Sequence, residues 1–254
     1  MTKAPTVRLA VIGTVRDRVF FGTDIPNREP PSILVSFVYL EAFLKHRHNY
    51  HITDWALDSG AFSAYNSGTT IDLKEYIDTC LHLTKTDDQL VDIFALDVIG
   101  DWRASQKNTD RMWEAGVSAI PTYHAGEPEK VLVDLAKRYP KIGLGGVATM
   151  RGKKKLQWAA QCFARVYPKK IHGLGFATRD AVVGLPFHST DATSWEVGAC
   201  KYGHWRSFGN AKLAIRGSKQ PLRAEVNHYL QLQRDARSRW KTEMTRLENL
   251  GNEQ

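Results

Sequence analysis

Three aspartates stand where apolar runs end. They are Asp58 in Leu57-Asp58-Ser59-Gly60-Ala61-Phe62, Asp97 in Ala95-Leu96-Asp97-Val98, and Asp191 in Ser189-Thr190-Asp191-Ala192. Two imidazoles occupy similar positions, His124 in Tyr123-His124-Ala125-Gly126 and His172 ahead of Gly173-Leu174-Gly175. Each carboxylate has a structural alternative, because an aspartate after a strand also caps the turn or helix that follows. Three of them in apolar surroundings carry a desolvation cost that a structural role does not require. Two or more carboxylates around a flat-ring pocket suit cleavage of a glycosidic bond, one attacking the anomeric carbon and the other handling the leaving group's proton. The histidines stay open between buried core residues and site residues.

Gly143, Gly145 and Gly146 lack the spacing and the acidic partner of a dinucleotide site. What they offer is the absence of side chains, which lets a flat ring approach the backbone. No metal-ligand spacing, phosphate-cradling Gly-Lys loop or Gly-x-Ser-x-Gly elbow is present, so neither metal nor cofactor is expected. Cys80, Cys162 and Cys200 are too scattered to pair as Cys-x-x-Cys and read as free thiols, with Cys200 in a loop beside His204. A lyase or aldolase would want a strand-end lysine for Schiff-base chemistry, and no strand core displays one.

These residues need elements to position them. Apolar or β-branched runs cover residues 7–13, 33–39, 55–62, 93–100, 118–124, 141–148, 170–177 and 186–193. Between them, residues 73–83, 102–115, 127–139 and 156–167 place apolar side chains three and four apart, as an amphipathic helix does. Eight strands alternating with helices imply parallel pairing through crossovers. The reading is an α/β TIM barrel, (β/α)8, as a single domain over residues 1–254, with a doubly wound open sheet as runner-up. Residues 14–31, with Gly22, Pro26, Pro30 and Pro31, read as a long loop. In a barrel the working face is the C-terminal end of the strands, which is where the aspartates fall.

A chain of 254 residues, 43% hydrophobic and 10% aromatic, can bury a full core. It has no apolar run of membrane-spanning length and no signal peptide, so the expectation is a soluble cytoplasmic protein. The formal charge of +8 is local: residues 201–246 hold 11 Lys/Arg against three Asp/Glu, and the remainder carries 24 of each sign. A basic stripe is the footprint of a polyanion binder, and equally of a solvated helix face. Pro221 opens a long helix over 221–250, whose stripe of Val226, Leu230, Trp240, Met244 and Leu247 leaves Arg234, Arg237, Arg239 and Lys241 outside. Those four are the candidates for nucleic-acid phosphates.

Asp58-Ser59-Gly60-Ala61-Phe62 resembles the Asp-Ser-Gly-Gly-Phe/Tyr signature of tRNA-guanine transglycosylases, and Gly143-Leu144-Gly145-Gly146-Val147-Ala148 resembles their Gly-Gly-Leu-Ala-Val-Gly loop. His172-Gly173-Leu174-Gly175 is similar to the family's Met-Gly-Val-Gly strand, and Asp191 follows one strand later, in the same order. The wording Leu57-Asp58-Ser59-Gly60-Ala61-Phe62-Ser63 and the Asp191-Ala192-Thr193-Ser194-Trp195 run resemble most closely the phage enzymes (DpdA) that exchange guanine in DNA for a 7-deazaguanine. The resemblance covers residues 52–212.

It implies Asp191 as nucleophile, Asp58 as acid/base and Asp97 as reader of the guanine edge. Ser59 and Phe62 would stand beside the base, with the Gly145 and Gly146 backbone framing it, and His124, His172 and Gly175 completing its surroundings. The implied partners are DNA and a free 7-deazaguanine base, with tRNA as the alternative polymer and a non-catalytic nucleic-acid-binding barrel as the alternative class. The tRNA enzymes' Cys-x-Cys-x-x-Cys zinc site is missing, only Cys200 and His204 falling in that region, so a structural zinc is not expected. His124 also stands where the family carries Gln.

Overall fold

The computed structural model describes residues 4–11, 29–150, 152–195 and 219–251. Eight parallel strands form one sheet: β1 (Thr6–Val11), β2 (Ser32–Ser36), β3 (Trp55–Asp58), β4 (Leu90–Ile93), β5 (Thr122–His124), β6 (Lys141–Gly145), β7 (Lys170–Gly173) and β8 (Ser189–Ala192). The order β4-β3-β2-β1-β8-β7-β6-β5 brings first and last strands together, Arg8 lying opposite Asp191. The remaining gap between β4 and β5 is closed by a single parallel bridge, Phe94 to Ile120. The result is the expected (β/α)8 ring.

Most of the strands are buried on both faces, which favours near-continuous apolar, β-branched runs; β4, with Val91 exposed, is the exception. Around them lie α1 (Leu40–Lys45), α2 (Ala61–Ser67), α3 (Leu73–Thr86), α4 (Trp102–Glu114), α5 (Glu129–Arg138), α6 (Lys153–Val166), α7 (Arg179–Val182) and α8 (Lys219–Gly251). Local chemistry starts several of them. The Asp72 carboxylate accepts from Glu75 N at α3, and Asp101 accepts from Arg103 N and Ala104 N at α4. Cys80 and Cys162 are buried, free thiols on α3 and α6. Among the described residues no helix is long and apolar enough to cross a membrane.

The interior of the ring is layered. Ala10, Leu34, Ala56, Phe94 and Ile120 fill its middle, with Leu174 packed on them. Below them, at the strands' N-terminal ends, Arg8 bonds Asp54 at 2.6 Å and Asp92 at 2.7 Å, and Lys141 reaches Asp92 at 2.6 Å. This buried charged floor seals the end opposite the mouth.

Several elements are shorter than their apolar runs. Residues 96–100 continue the apolar run beyond the ladder, and side chains take over backbone groups along this stretch: Tyr76 OH donates to Phe94 O, Asn108 Nδ2 to Leu96 O, and Val98 N to Ser105 Oγ. Buried backbone needs partners, and here helices α3 and α4 supply them in place of a neighbouring strand. Glu127, read as the start of a helix, lies in the turn before α5. Most of the expected loop 14–31 lies outside the described residues.

Helix α8 matches the expected span and packs on β1, Val7 N donating to the Gln233 side chain. It buries Val226 and Leu230 as expected, together with Tyr229, Leu232 and Ala236. It descends the barrel wall, from Tyr229 beside Ser194 above β8 to Arg237 on the carbonyl of Pro5 ahead of β1.

Candidate active site

The mouth of the barrel brings Asp58, Asp97, His124, His172 and Asp191 together. Asp58 ends β3, paired in register with Ser36 of β2. Its Oδ2 accepts from Gly60 N at 3.0 Å, so the turn that a capping role requires does exist. That turn needs glycine: Gly60 has φ +76°, and a Cβ there would lie 2.9 Å from Ser36 Oγ. Burial raises the Asp58 pKa to about 6, opposed by the Gly60 N–H and reinforced by the charges of Asp191 and Asp97.

Asp191 projects from β8 and is buried, its Oδ1 accepting from Gly175 N at 2.7 Å. His172 Nε2 lies 3.5 Å from the same oxygen, too long for a well-formed hydrogen bond. The other ring nitrogen, Nδ1, is 2.8 Å from Ser189 Oγ, and Phe94 packs edge-on to the ring at 4.7 Å. Burial lowers the His172 pKa, so the ring is neutral beneath the nucleophile candidate. Ser, His and Asp therefore adjoin, but Ser189 is buried below Asp191, on the barrel side, where no substrate could meet it.

Asp97 sits in the loop above β4, its Oδ2 3.3 Å from His124 Nε2. The other ring nitrogen of His124 is 3.0 Å from Glu127 Oε1, and Glu127 Oε2 accepts from His124 N at 3.2 Å. Burial alone would lower the His124 pKa, yet the two carboxylates raise it to about 10. Asp97 is displaced upward by burial, against the pull of His124.

The remaining expected residues divide. Phe62, on the first turn of α2, is 58% exposed and free to meet a ligand. Ser59 is buried, its hydroxyl 3.5 Å from Ala61 N in the turn that leads into α2. Gly145 and Gly146 owe their lack of side chains to packing: a Cβ at either would come within 2.9 Å of Thr122 or His124. Arg234, Arg237, Arg239 and Lys241 do not reach the mouth. Arg234 bonds Gln231, Arg237 bonds Pro5 O and Glu29, and Arg239 lies over the Trp240 ring. Cys200 and His204 lie outside the described residues, among which no cluster of three or more metal-ligating side chains occurs.

Two site residues escape a reading of strand ends. Glu127 is one. Lys155 is the other: it extends from α6, donates to Gly175 O at 2.6 Å and lies 4.5 Å over the Phe176 ring. Burial lowers its pKa while Asp191 opposes the shift. Its signal in the sequence is the run Lys153-Lys154-Lys155 opening a helix, where the helix dipole disfavours cations.

No family model and no curated protein matches the chain. Among solved structures, a fructose-1,6-biphosphate aldolase candidate from Coccidioides immitis superposes with a TM-score of 0.57 at 11% identity, covering 92% of this chain and 91% of that one. A mutant tryptophan synthase alpha-subunit from Pyrococcus furiosus gives 0.52 at 13% identity, covering 87% and 97%. Similarity at such identities is one of fold, and the fold this chain shares with them is the α/β TIM barrel.

Proposed function

We propose that the protein is a transglycosylase that exchanges guanine in DNA for a 7-deazaguanine base through a covalent glycosyl-enzyme intermediate. The observation that carries the reading is the pair Asp58 and Asp191, two carboxylates at one barrel mouth held by different environments. Asp58, with its pKa near 6, can give and take a proton close to neutrality. Among the described residues, Asp191 is steadied by one backbone N–H on a single oxygen, so the attack is assigned to the other.

In the first step Asp191 attacks C1′ of the target nucleotide as the glycosidic C–N bond breaks. Guanine leaves carrying the proton that Asp58 supplies. In the second, the incoming base loses its N–H proton to Asp58 and its nitrogen displaces Asp191 from C1′, with net retention. Asp97 accepts hydrogen bonds from the base edge, and Phe62 offers an exposed ring on the neighbouring lip. A base in a duplex must flip out to reach this site, so unpaired DNA should react faster. The polymer's phosphates have cations close by in Lys153, Lys154 and Lys155 at the mouth.

The deciding experiment offers the protein single-stranded DNA, duplex DNA and tRNA with labelled guanine and with 7-cyano-7-deazaguanine. Exchange into DNA is expected; exchange into tRNA alone would move the protein to the other polymer. One observation favours a second reading: Lys155, its pKa lowered beside a carboxylate, is the type of amine that forms Schiff bases. Borohydride trapping of a carbonyl substrate on Lys155, with no base exchange, would establish that chemistry instead.

A further inference from the structure

The seam between β4 and β5 is where this barrel is weakest and where its base-reading candidate sits. Its backbone ladder consists of Ile120 N to Ile93 O and Ala95 N to Ile120 O, at 2.8 and 2.9 Å. Asp97, two residues beyond, lies past the backbone ladder, where its carboxylate meets the Thr122 side chain of β5 as well as His124. The seam is tied above that point by a chain of side chains, Asp97 to His124 to Glu127.

Glu127 is itself immobilised. Its N–H donates to His124 O at 3.1 Å and its carbonyl accepts from Tyr123 OH at 2.9 Å. With both carboxylate oxygens on His124, one on the backbone N–H and one on the ring, it orients the ring and, after Asp97, adds to the upward pull on its pKa. A protonated imidazole has two N–H donors and no acceptor, so the second donor must face a carboxylate, and Asp97 is there.

We propose that Glu127 is a positioning residue which, acting through the His124 ring, holds the Asp97 carboxylate in a fixed, ionised state that selects a ligand presenting N–H donors. The inference rests on the transglycosylase reading for the identity of that ligand, a guanine-type base with adjacent ring and exocyclic N–H groups. It adds a reason for His124 where the resemblance offered Gln: a neutral amide cannot hold a buried carboxylate ionised as an imidazolium can.

The charged groups facing this chain are few. Asp97 faces His124 from the β4 loop and Glu127 from its own turn; burial and Glu127 push the Asp97 pKa up, His124 pulls it down, and the Asp97 charge adds to the burial that raises Asp58 on β3. From β6 the neighbours are Gly145 and Gly146. Behind Asp97 and Glu127, between α4 and α5, lies a small recess whose other walls include Ser105, Gln106 and Thr109 and bear no basic side chain. Among the described residues, His124 is the cation in contact with both carboxylates.

The test uses the whole protein labelled with 15N-histidine, wild type and Glu127→Gln, titrated by NMR from about pH 5 to 9. Guanine and 7-cyano-7-deazaguanine binding are measured by calorimetry in parallel. Wild-type His124 should keep both ring protons throughout, and base affinity should be flat across about pH 6 to 8. In Glu127→Gln the ring should titrate within the range, and affinity should fall about tenfold at the alkaline end while nearing wild type at the acid end. A Tm within a few degrees of wild type separates positioning from loss of fold, and Asp97→Asn should abolish base binding at every pH.

A wild-type His124 that titrates near 6.5, or a Glu127→Gln variant with wild-type affinity and no pH dependence, overturns the proposal. If the wild type binds neither base, the transglycosylase reading fails, and the His124 titration still decides whether Glu127 sets the charge of the ring.

Discussion

The floor and the mouth of this barrel both bury aspartates, and they treat them in opposite ways. At the floor, Asp54 and Asp92 meet Arg8 and Lys141 at 2.6 to 2.7 Å, so each carboxylate has a cation beside it. Burial would raise the Asp92 pKa, but Lys141 and Arg8 bring it down to about 2. At the mouth, Asp58 has no direct cation among the described residues and rises to about 6. The same side chain in the same barrel is held as an anion at one end and titrates closer to neutrality at the other. The contrast is between Asp58 and the floor pair, since Asp97 at the mouth does have a partner in His124.

That contrast can be broken most sharply at Asp191. Asp191→Asn should abolish a denaturation-resistant adduct with single-stranded DNA and cut exchange by about 10⁴ or more, with thermal stability near wild type. Adduct that survives in this variant would remove the nucleophile assignment.

Asp58→Asn should slow exchange by about 10² to 10⁴ while still permitting trace adduct. Its stability effect has the opposite sign. The folded pKa of Asp58 is raised, so its favourable contribution is complete below about pH 4 and is lost as pH rises through about 6. The variant should therefore be more stable than wild type at pH 8, by about 1 to 3 kcal/mol in urea unfolding, and no more stable near pH 4. A variant destabilised at pH 8 would place Asp58 with the structural aspartates.

At the floor the expectations invert. Asp92→Asn leaves Arg8 and Lys141 short of an anion in a buried site and should cost about 3 to 5 kcal/mol of stability, with turnover at saturating substrate unchanged. Because the folded pKa of Asp92 is lowered, the wild type keeps this contribution above about pH 4 and loses it as pH falls through about 2. Acid unfolding that does not respond to Asp92→Asn would dissolve the contrast from the other side.

The smallest effect concerns the polymer's phosphates. Neutralising Lys153 and Lys154 should lower the log–log salt slope of DNA binding by about 0.7 to 0.9 for each phosphate left without its cation, whereas neutralising Arg234 and Arg239 should leave it unchanged. The reverse result would put the polymer along α8, away from the mouth.

Much of this architecture is legible in the chain. Parallel strands buried on both faces read as apolar runs, and polar groups at their C-terminal ends face the mouth, so Asp58, Asp97, Asp191, His124 and His172 stand out by position. The register of alternation also identifies the helices, since their apolar stripes face the same sheet.

What only the tertiary structure decided is partnership. Arg8 finds Asp54 and Asp92, 46 and 84 residues away, because the strands curl into a ring, and no local pattern encodes that meeting. Lys155 comes to Gly175 beside Asp191 because α6 leads into β7, the strand that pairs with β8. Asp97 and His124 face each other because β4 and β5 separate above their one bridge, and Glu127 leaves the helical pattern to hold the ring between them. The basic residues of α8 looked like a polyanion surface in the sequence, yet packing against β1 carries Arg237 to the floor end of the barrel. Spacing along a chain sets which face of an element a side chain occupies, whereas its charge partners depend on which elements become neighbours when the sheet closes.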